Sequence, residues 1–215
     1  MQRARYALRT SPSRYGAFFE PEMGYRNSTG SGMATGNEEE TMYFVVDGSH
    51  YSASCCFDFG NAGKMPGDYG DGSMEAVYWG NGAVWSHGYG VGPWVGADLK
   101  NGIYYGNPNG STFNPGNMPL GYPFVFAMLK GGTDGFALKA ADATQGKLQT
   151  MWDGARPSPR YQPMQKRGGI ILATGGDNSR EAVGTFYEGV VAAGYTADDV
   201  DDALQRSVVA AGYGA

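Results

Sequence analysis

The chain has 215 residues, enough for one domain with a sizeable core, and a net charge of −5 with no basic patch interleaved with aromatics, which argues against a nucleic-acid partner. Its 36 glycines, 15 tyrosines and low charged fraction suit an all-β protein with many turns. The basic N-terminal stretch MQRARYALRTSPSRYG lacks the apolar segment of a secretory signal, and no run is long enough to span a bilayer, so no membrane partner is expected.

Residues 15–19 form a short apolar strand, and the Ser/Thr/Gly/Asn-rich stretch 27–37 is a surface loop. A clear strand at 41–46 closes on Asp47-Gly48. The adjacent Cys55 and Cys56 allow two readings. They are two small buried thiols, or a vicinal disulfide, which is strained because neighbouring Cα atoms lie only about 3.8 Å apart. Asp68 and Asp71 fall in a Gly/Asp loop whose spacing fits no calcium-binding pattern, and His50 and His87 are too few and too isolated for zinc. No metal and no cofactor are expected. Residues 74–79 make a strand, Asn81-Gly82 its turn and Ala83-Val84-Trp85 the return, with Trp85 on its own readable as packing.

The stretch GPWVGADLKNGIYYG, residues 92–106, is a hairpin in which Asn101-Gly102 supplies the two positive-φ turn residues and Ile103 opens the return arm. Alternation along the first arm places Asp98 and Lys100 on one face and Ala97 and Leu99 on the other. Further strands follow at 123–130, 136–141, 147–152, 169–174 and 185–191, each set off by turn residues. Gly175, Gly176 and Asp177 end the fourth of these, so Asp177 sits at a strand mouth where two glycines allow close backbone approach. The tail is a helix: Thr196 caps it, its four aspartates form a solvated start, and Val200, Ala203, Leu204, Val208 and Ala211 make an apolar stripe. Evenly spaced strands without intervening helices indicate an all-β sandwich or jelly roll with one C-terminal helix.

The wording of several stretches goes further than periodicity. GPWVGADLKNG, MGYRN at 23–27, MYFVVDGSHY at 42–51, CCFDFGNA at 55–62, MEAVYWG at 74–80, GARP at 154–157, GGIILATGGDNS at 168–179 and GTFYEGV at 184–190 resemble, in order, the catalytic domain of the α-L-arabinofuranosidase B enzymes, glycoside hydrolase family 54. The resemblance covers nearly all of 15–212 and implies a concanavalin-like β-sandwich. It leaves 1–14 as a non-matching leader, expected to be disordered, and 15–215 as a partial catalytic sandwich, truncated at its N-terminus and without the C-terminal arabinose-binding domain many members carry.

The resemblance also implies an exo-acting retaining glycosidase that releases terminal arabinofuranose from arabinan or arabinoxylan, an extracellular setting, and a monomer with no nucleic-acid, membrane or cofactor partner. Carried over position by position, Asp177 is the general acid/base, and Cys55, Cys56, Trp85, Asp98, Asn101 and Gly176 contact the sugar, the cysteine pair as a bridge. The family's nucleophilic glutamate falls on Lys100. An ammonium cannot form the glycosyl ester of a retaining mechanism. At about 5.5 Å and an effective dielectric near 20 its charge is also worth roughly 3 kcal/mol, enough to drive Asp177 toward ionisation. Asp98, or Glu75 or Glu188 from a neighbouring strand, are the substitute carboxylates to consider. The alternatives to a hydrolase are a catalytically inactive arabinose-binding sandwich and a truncated fragment that does not fold alone.

Overall fold

The computed structural model describes residues 15–68, 70–107 and 111–214. The leader 1–14 lies outside the described residues. The strands are β1 (Ala17–Phe19), β2 (Tyr25–Asn27), β3 (Glu40–Asp47), β4 (Asp58–Ala62), β5 (Glu75–Gly80), β6 (His87–Gly88), β7 (Trp94–Asp98), β8 (Ile103–Tyr104), β9 (Phe113–Asn114), β10 (Phe124–Gly131), β11 (Gly135–Asp142), β12 (Gln149–Ala155), β13 (Gly169–Leu172) and β14 (Gly184–Ala193), followed by the helix α1 (Asp198–Ala210). They build two antiparallel six-stranded sheets, β1-β14-β3-β10-β11-β12 and β2-β13-β4-β5-β7-β8, while β6 and β9 form a small parallel pair. This is the all-β sandwich with a C-terminal helix that the strand spacing predicts.

The sheets face one another across a core that alternation explains. Met42, Phe44 and Val46 of β3 and Val125, Ala127 and Leu129 of β10 point inward against Phe57, Val77, Trp79, Val95 and Ala97 of the second sheet region. The alternate residues Tyr43, Val45, Phe126 and Met128 are also buried, because the helix and Tyr213 cover the outer face of the first sheet. Burial on both faces is why these two strands read as unbroken apolar runs.

Three local expectations give way to tertiary constraints. Ala83-Val84-Trp85 is not a strand. Its neighbour Gly82 donates to Tyr78 Oη at 3.3 Å and accepts from Tyr105 Oη at 2.6 Å, which pulls the chain off the sheet, and β5 pairs with β7 instead. The hairpin turn falls one residue earlier than Asn-Gly suggests: Leu99 N–H donates to Gly102 O at 3.1 Å, and Lys100 and Asn101 hold the positive φ angles, 63° and 60°. Lys100 is therefore a turn residue, not a strand-mate of Asp98, whose Oδ1 accepts the Lys100 N–H at 2.8 Å.

The helix start is the third correction. Ala197, not Thr196, occupies the cap position and makes no side-chain cap bond, while the Thr196 hydroxyl donates to Asp201 and contacts Thr41. Asp201 is fully buried, and Val200 and Ala203 are exposed. Lys130 of β10 and Lys139 of β11 both point outward from the first sheet and both donate to Asp201 Oδ2 at 2.7 Å. Two covered ammonium groups need a covered counter-charge. The helix turns Asp201, Gln205 and Val208 inward to supply it.

Candidate active site

The second sheet carries a cleft on its outer face. In β7, Ala97 and the following Leu99 point into the core, so Asp98 between them points out. In β4 the same alternation, with Phe57 and Phe59 inward, turns Asp58 outward. Cys56, Tyr78, Trp94, Ile103 and Tyr105 pack together on this face, with Cys55 against them. A cavity of about 110 Å³ opens there, lined by Cys55, Cys56, Trp85, Asp98, Lys100, Asn101, Gly102, Gly175, Gly176 and Asp177. Four segments distant in sequence thus converge: the Cys pair before β4, Trp85 between β5 and β6, the β7–β8 turn and the loop after β13.

All eight residues singled out from the sequence line this one cavity. The two adjacent cysteines turn sulfur against sulfur, and both sulfurs lie within 4.8 Å of an Asp98 carboxylate oxygen. Trp85 stands at the rim, 40% exposed. Asn101 donates through Nδ2 to Asp71 Oδ1 at 2.7 Å, which ties the turn to the preceding loop. At Gly176 a Cβ would lie 2.8 Å from Met74 Sδ, which would have to shift, and 3.5 Å from Lys100 Nζ, an ordinary contact. Glu75 and Glu188 are elsewhere. Glu75 shares the inward face of β5 with Val77 and Trp79 and is fully buried with Arg156 and Lys166. Glu188 lies on β14 of the other sheet, where it accepts from Tyr43 Oη at 3.4 Å. Asp98 is the remaining one of the three substitute carboxylates at the cavity.

Asp177 is set in a braced loop. Gly175 N–H donates to Ser179 O at 2.9 Å, and Asn178 N–H donates to Gly175 O at 3.0 Å. Arg26 of β2 holds the loop from behind, donating to Gly176 O at 2.8 Å, Gly175 O at 3.2 Å and Asn178 Oδ1 at 2.9 Å. Inspection of the sequence leaves Arg26 as one letter of MGYRN; its role depends on β2 pairing with β13, a contact across almost 150 residues of chain that no local pattern announces.

The electrostatics are divided. Partial burial tends to raise the Asp177 carboxyl, but the Ser179 N–H and hydroxyl, donating to Oδ1 at 3.0 and 2.8 Å, and the Lys100 cation together hold it below its ordinary value. Asp98 is pushed up to about 6, chiefly by burial and also by Asp177, against the lowering effects of the Lys100 N–H, the Asp58 contact and the Lys100 charge. Asp58 is raised well above the ordinary carboxyl range, first by burial and then by Asp98 and Asp177. The cavity thus offers an ionised carboxylate at its mouth, a cation beside it and the Asp98 carboxyl at its floor, with the Asp58 carboxyl behind that one.

A jelly-roll sandwich with carboxyl groups converging in a cleft on one sheet belongs to the architectures that bind sugars. The comparisons specify which. The family model for the catalytic region of α-L-arabinofuranosidase B matches residues 5–214, and the chain belongs to that family. It is 48% identical over 200 residues to α-L-arabinofuranosidase B of Aspergillus niger, covering 93% of this chain and 40% of that protein. The Aspergillus oryzae α-L-arabinofuranosidase B is 49% identical, with 93% and 39% covered. A solved arabinofuranosidase in complex with arabinofuranosyl-α-1,2-xylobiose superposes with a TM-score of 0.89 at 48% identity, over 92% of this chain and 41% of that one. The chain therefore spans about two fifths of the length of these relatives.

Proposed function

We propose that this chain is an arabinofuranosidase-type glycosidase domain that takes a terminal α-L-arabinofuranosyl group, on arabinan or arabinoxylan side chains, into the cavity, and that Lys100 holds the retaining hydrolysis far below the rate a carboxylate there would give. The observation that carries this reading is the convergence of Asp98, Lys100, Asn101, Asp177, Trp85 and the cysteine pair around one cavity of about 110 Å³. In the proposed complex Asp98 and Asn101 accept and donate hydrogen bonds to the sugar hydroxyls. Trp85 and the Cys55-Cys56 pair, oxidised to a vicinal bridge, flank the ring as apolar walls. Gly176 lets the loop backbone approach it.

In a retaining glycosidase one carboxyl group attacks the anomeric carbon and a second, about 5–5.5 Å away, protonates the leaving oxygen. Asp177 occupies the second role by resemblance. A general acid is most effective with its pKa raised toward the working pH, commonly by a neighbouring carboxylate. Here the neighbour is a cation and Asp177 is held ionised, so both halves of the reaction are weakened by one residue. The extracellular setting and monomeric state belong to the same family-based proposal. No helix among the described residues is long and apolar enough to cross a membrane.

The test is cleavage of an aryl α-L-arabinofuranoside by the chain and by Lys100→Glu. The variant should be faster on the order of 10³-fold or more, since loss of a nucleophile is among the costliest single changes an enzyme can suffer. Equal turnover by the two proteins would overturn the part assigned to Lys100. Arabinofuranoside binding without turnover by the wild type would favour the binding-domain reading over slow hydrolysis. The observation in favour of slow hydrolysis is that Asp98 lines the cavity with Asp177 and could act as a substitute carboxylate.

A further inference from the structure

Asp58 does not line the cavity and has no part in the reading above, yet it lies directly beneath it. It opens β4 two residues after Cys56, and its carboxyl shares the outer face of the sheet with that of Asp98. The strand between them is β5, where Asp58 pairs opposite Tyr78 and Asp98 opposite Ala76. Only a methyl group and one ring thus stand between two aspartates on alternate strands, and the two carboxyl groups reach each other across them.

The partners of the two groups differ. Asp98 is oriented from two sides, with Oδ1 accepting the Lys100 N–H at 2.8 Å and Oδ2 3.6 Å from Cys56 Sγ. Asp58 is fully buried, and among the described residues neither of its oxygens has a hydrogen-bond donor. Two ionised carboxylates in buried contact repel and have nothing to donate. One proton between them converts the repulsion into a short, charge-assisted hydrogen bond. The group with no other donor is the one that gains most by holding that proton.

We propose that Asp58 is a positioning residue: it stays protonated and donates to Asp98, fixing the Asp98 carboxylate as an ionised acceptor for a sugar hydroxyl. The charged and titratable groups around it agree. Asp98 from β7 and Asp177 from the loop after β13 both disfavour its ionisation, as does burial, while the Lys100 cation opposes them. Tyr78 and Tyr105, the nearby phenols, are themselves pushed up by burial and stay neutral. The arrangement keeps one negative charge at the cavity floor rather than two.

This inference rests on the sugar-pocket reading, and the test separates the two. An infrared difference spectrum between the wild type and Asp58→Asn at neutral pH should show the C=O stretch of a protonated buried carboxylic acid in the wild type alone; its absence would overturn the proposal. Arabinofuranoside binding should be retained within about threefold in Asp58→Asn, which keeps a donor, and weakened about tenfold in Asp58→Ala, the scale of one hydrogen bond to a charged group. Unchanged affinity in a folded Asp58→Ala would equally overturn the positioning role. No binding by the wild type would overturn the sugar-pocket reading and with it Asp98's part, while the infrared band would still decide where the proton resides. Should Asp58→Ala not fold, the band in the wild type and the affinity of Asp58→Asn carry the test.

Discussion

Lys100 sets the charge of its surroundings, lowering the Asp177 carboxyl and opposing the rise of Asp98. It sits where Asp98, Asp177 and Gly176 converge, in a turn whose backbone is set by the Asp98 carboxylate. Replacing it by Met keeps the apolar stem and removes the charge, so the Asp177 pKa should rise; a carbon-13 NMR titration of the aspartate carboxyls would measure it, and an unchanged value would contradict the Coulombic link. The carboxyl pair below makes a second prediction. Acids raised in the folded state contribute stability that is whole below their unfolded value, near 3.8, and is lost as pH climbs through the folded value, about 6 for Asp98. Melting-temperature scans should therefore show Asp58→Asn gaining on the wild type as pH rises from about 4 to about 8; a gap that stays constant or shrinks would refute the linkage. The cavity residues could be read from the sequence because the motifs that carry them are short and distinctive. Asp58 could not, since its meaning arises from the β4-β5-β7 register, which joins positions 40 residues apart.

Among the elements, the helix shows most clearly where local patterns mislead. Of the expected stripe Val200, Ala203, Leu204, Val208 and Ala211, the last three do pack on the first sheet, but Val200 and Ala203 are exposed and Asp201 and Gln205 turn inward instead, because two lysines from β10 and β11 wait beneath the helix. Removing the shared buried acceptor in Asp201→Ala leaves those covered ammonium groups only the solvent-exposed Asp198, at about 3–5 kcal/mol by urea unfolding. Asp198 touches the same lysines with its side chain 85% exposed, and Asp198→Ala should cost under about 1 kcal/mol. Comparable costs for the two would mean that burial does not set the strength of the cluster. Hydropathy counts aspartate as a surface residue, so a reading by periodicity alone had no reason to turn Asp201 inward. The hairpin turn slipped by one residue for a related reason: a side-chain acceptor at Asp98 outweighed the usual preference of Asn-Gly for the two central turn positions.

At the scale of the molecule, the sandwich and its long strands follow from spacing, whereas the short strands β2, β4, β6 and β9 and the order of strands within each sheet do not. What spacing cannot supply is the ionic ballast between the sheets. Glu75 points into the sandwich from β5, bonded to Arg156 and 2.8 Å from Lys166 Nζ, and a Cβ at Gly131 of the facing sheet would come within 2.0 Å of its Oε2. Burial and the Glu75 carboxylate push the adjacent Glu40 up to about 8 despite the opposing Lys166 charge. Glu75 falls in MEAVYWG and Arg156 in GARP, so the motifs mark architecture as well as the cleft, and no inspection of the letters separates the two uses.

Every cavity-lining side chain comes from the second sheet and the segments that leave it, whereas the helix rides on the far face of the first. Occupancy and anchorage are consequently assigned to opposite sides of the protein. Amide deuterium uptake should slow in the loops at 99–102 and 174–179 when an arabinofuranoside is added, while the amides of α1 exchange at an unaltered pace. A designer could then rebuild the helical side, or fuse a second module to it, and leave ligand capture on the opposite side intact.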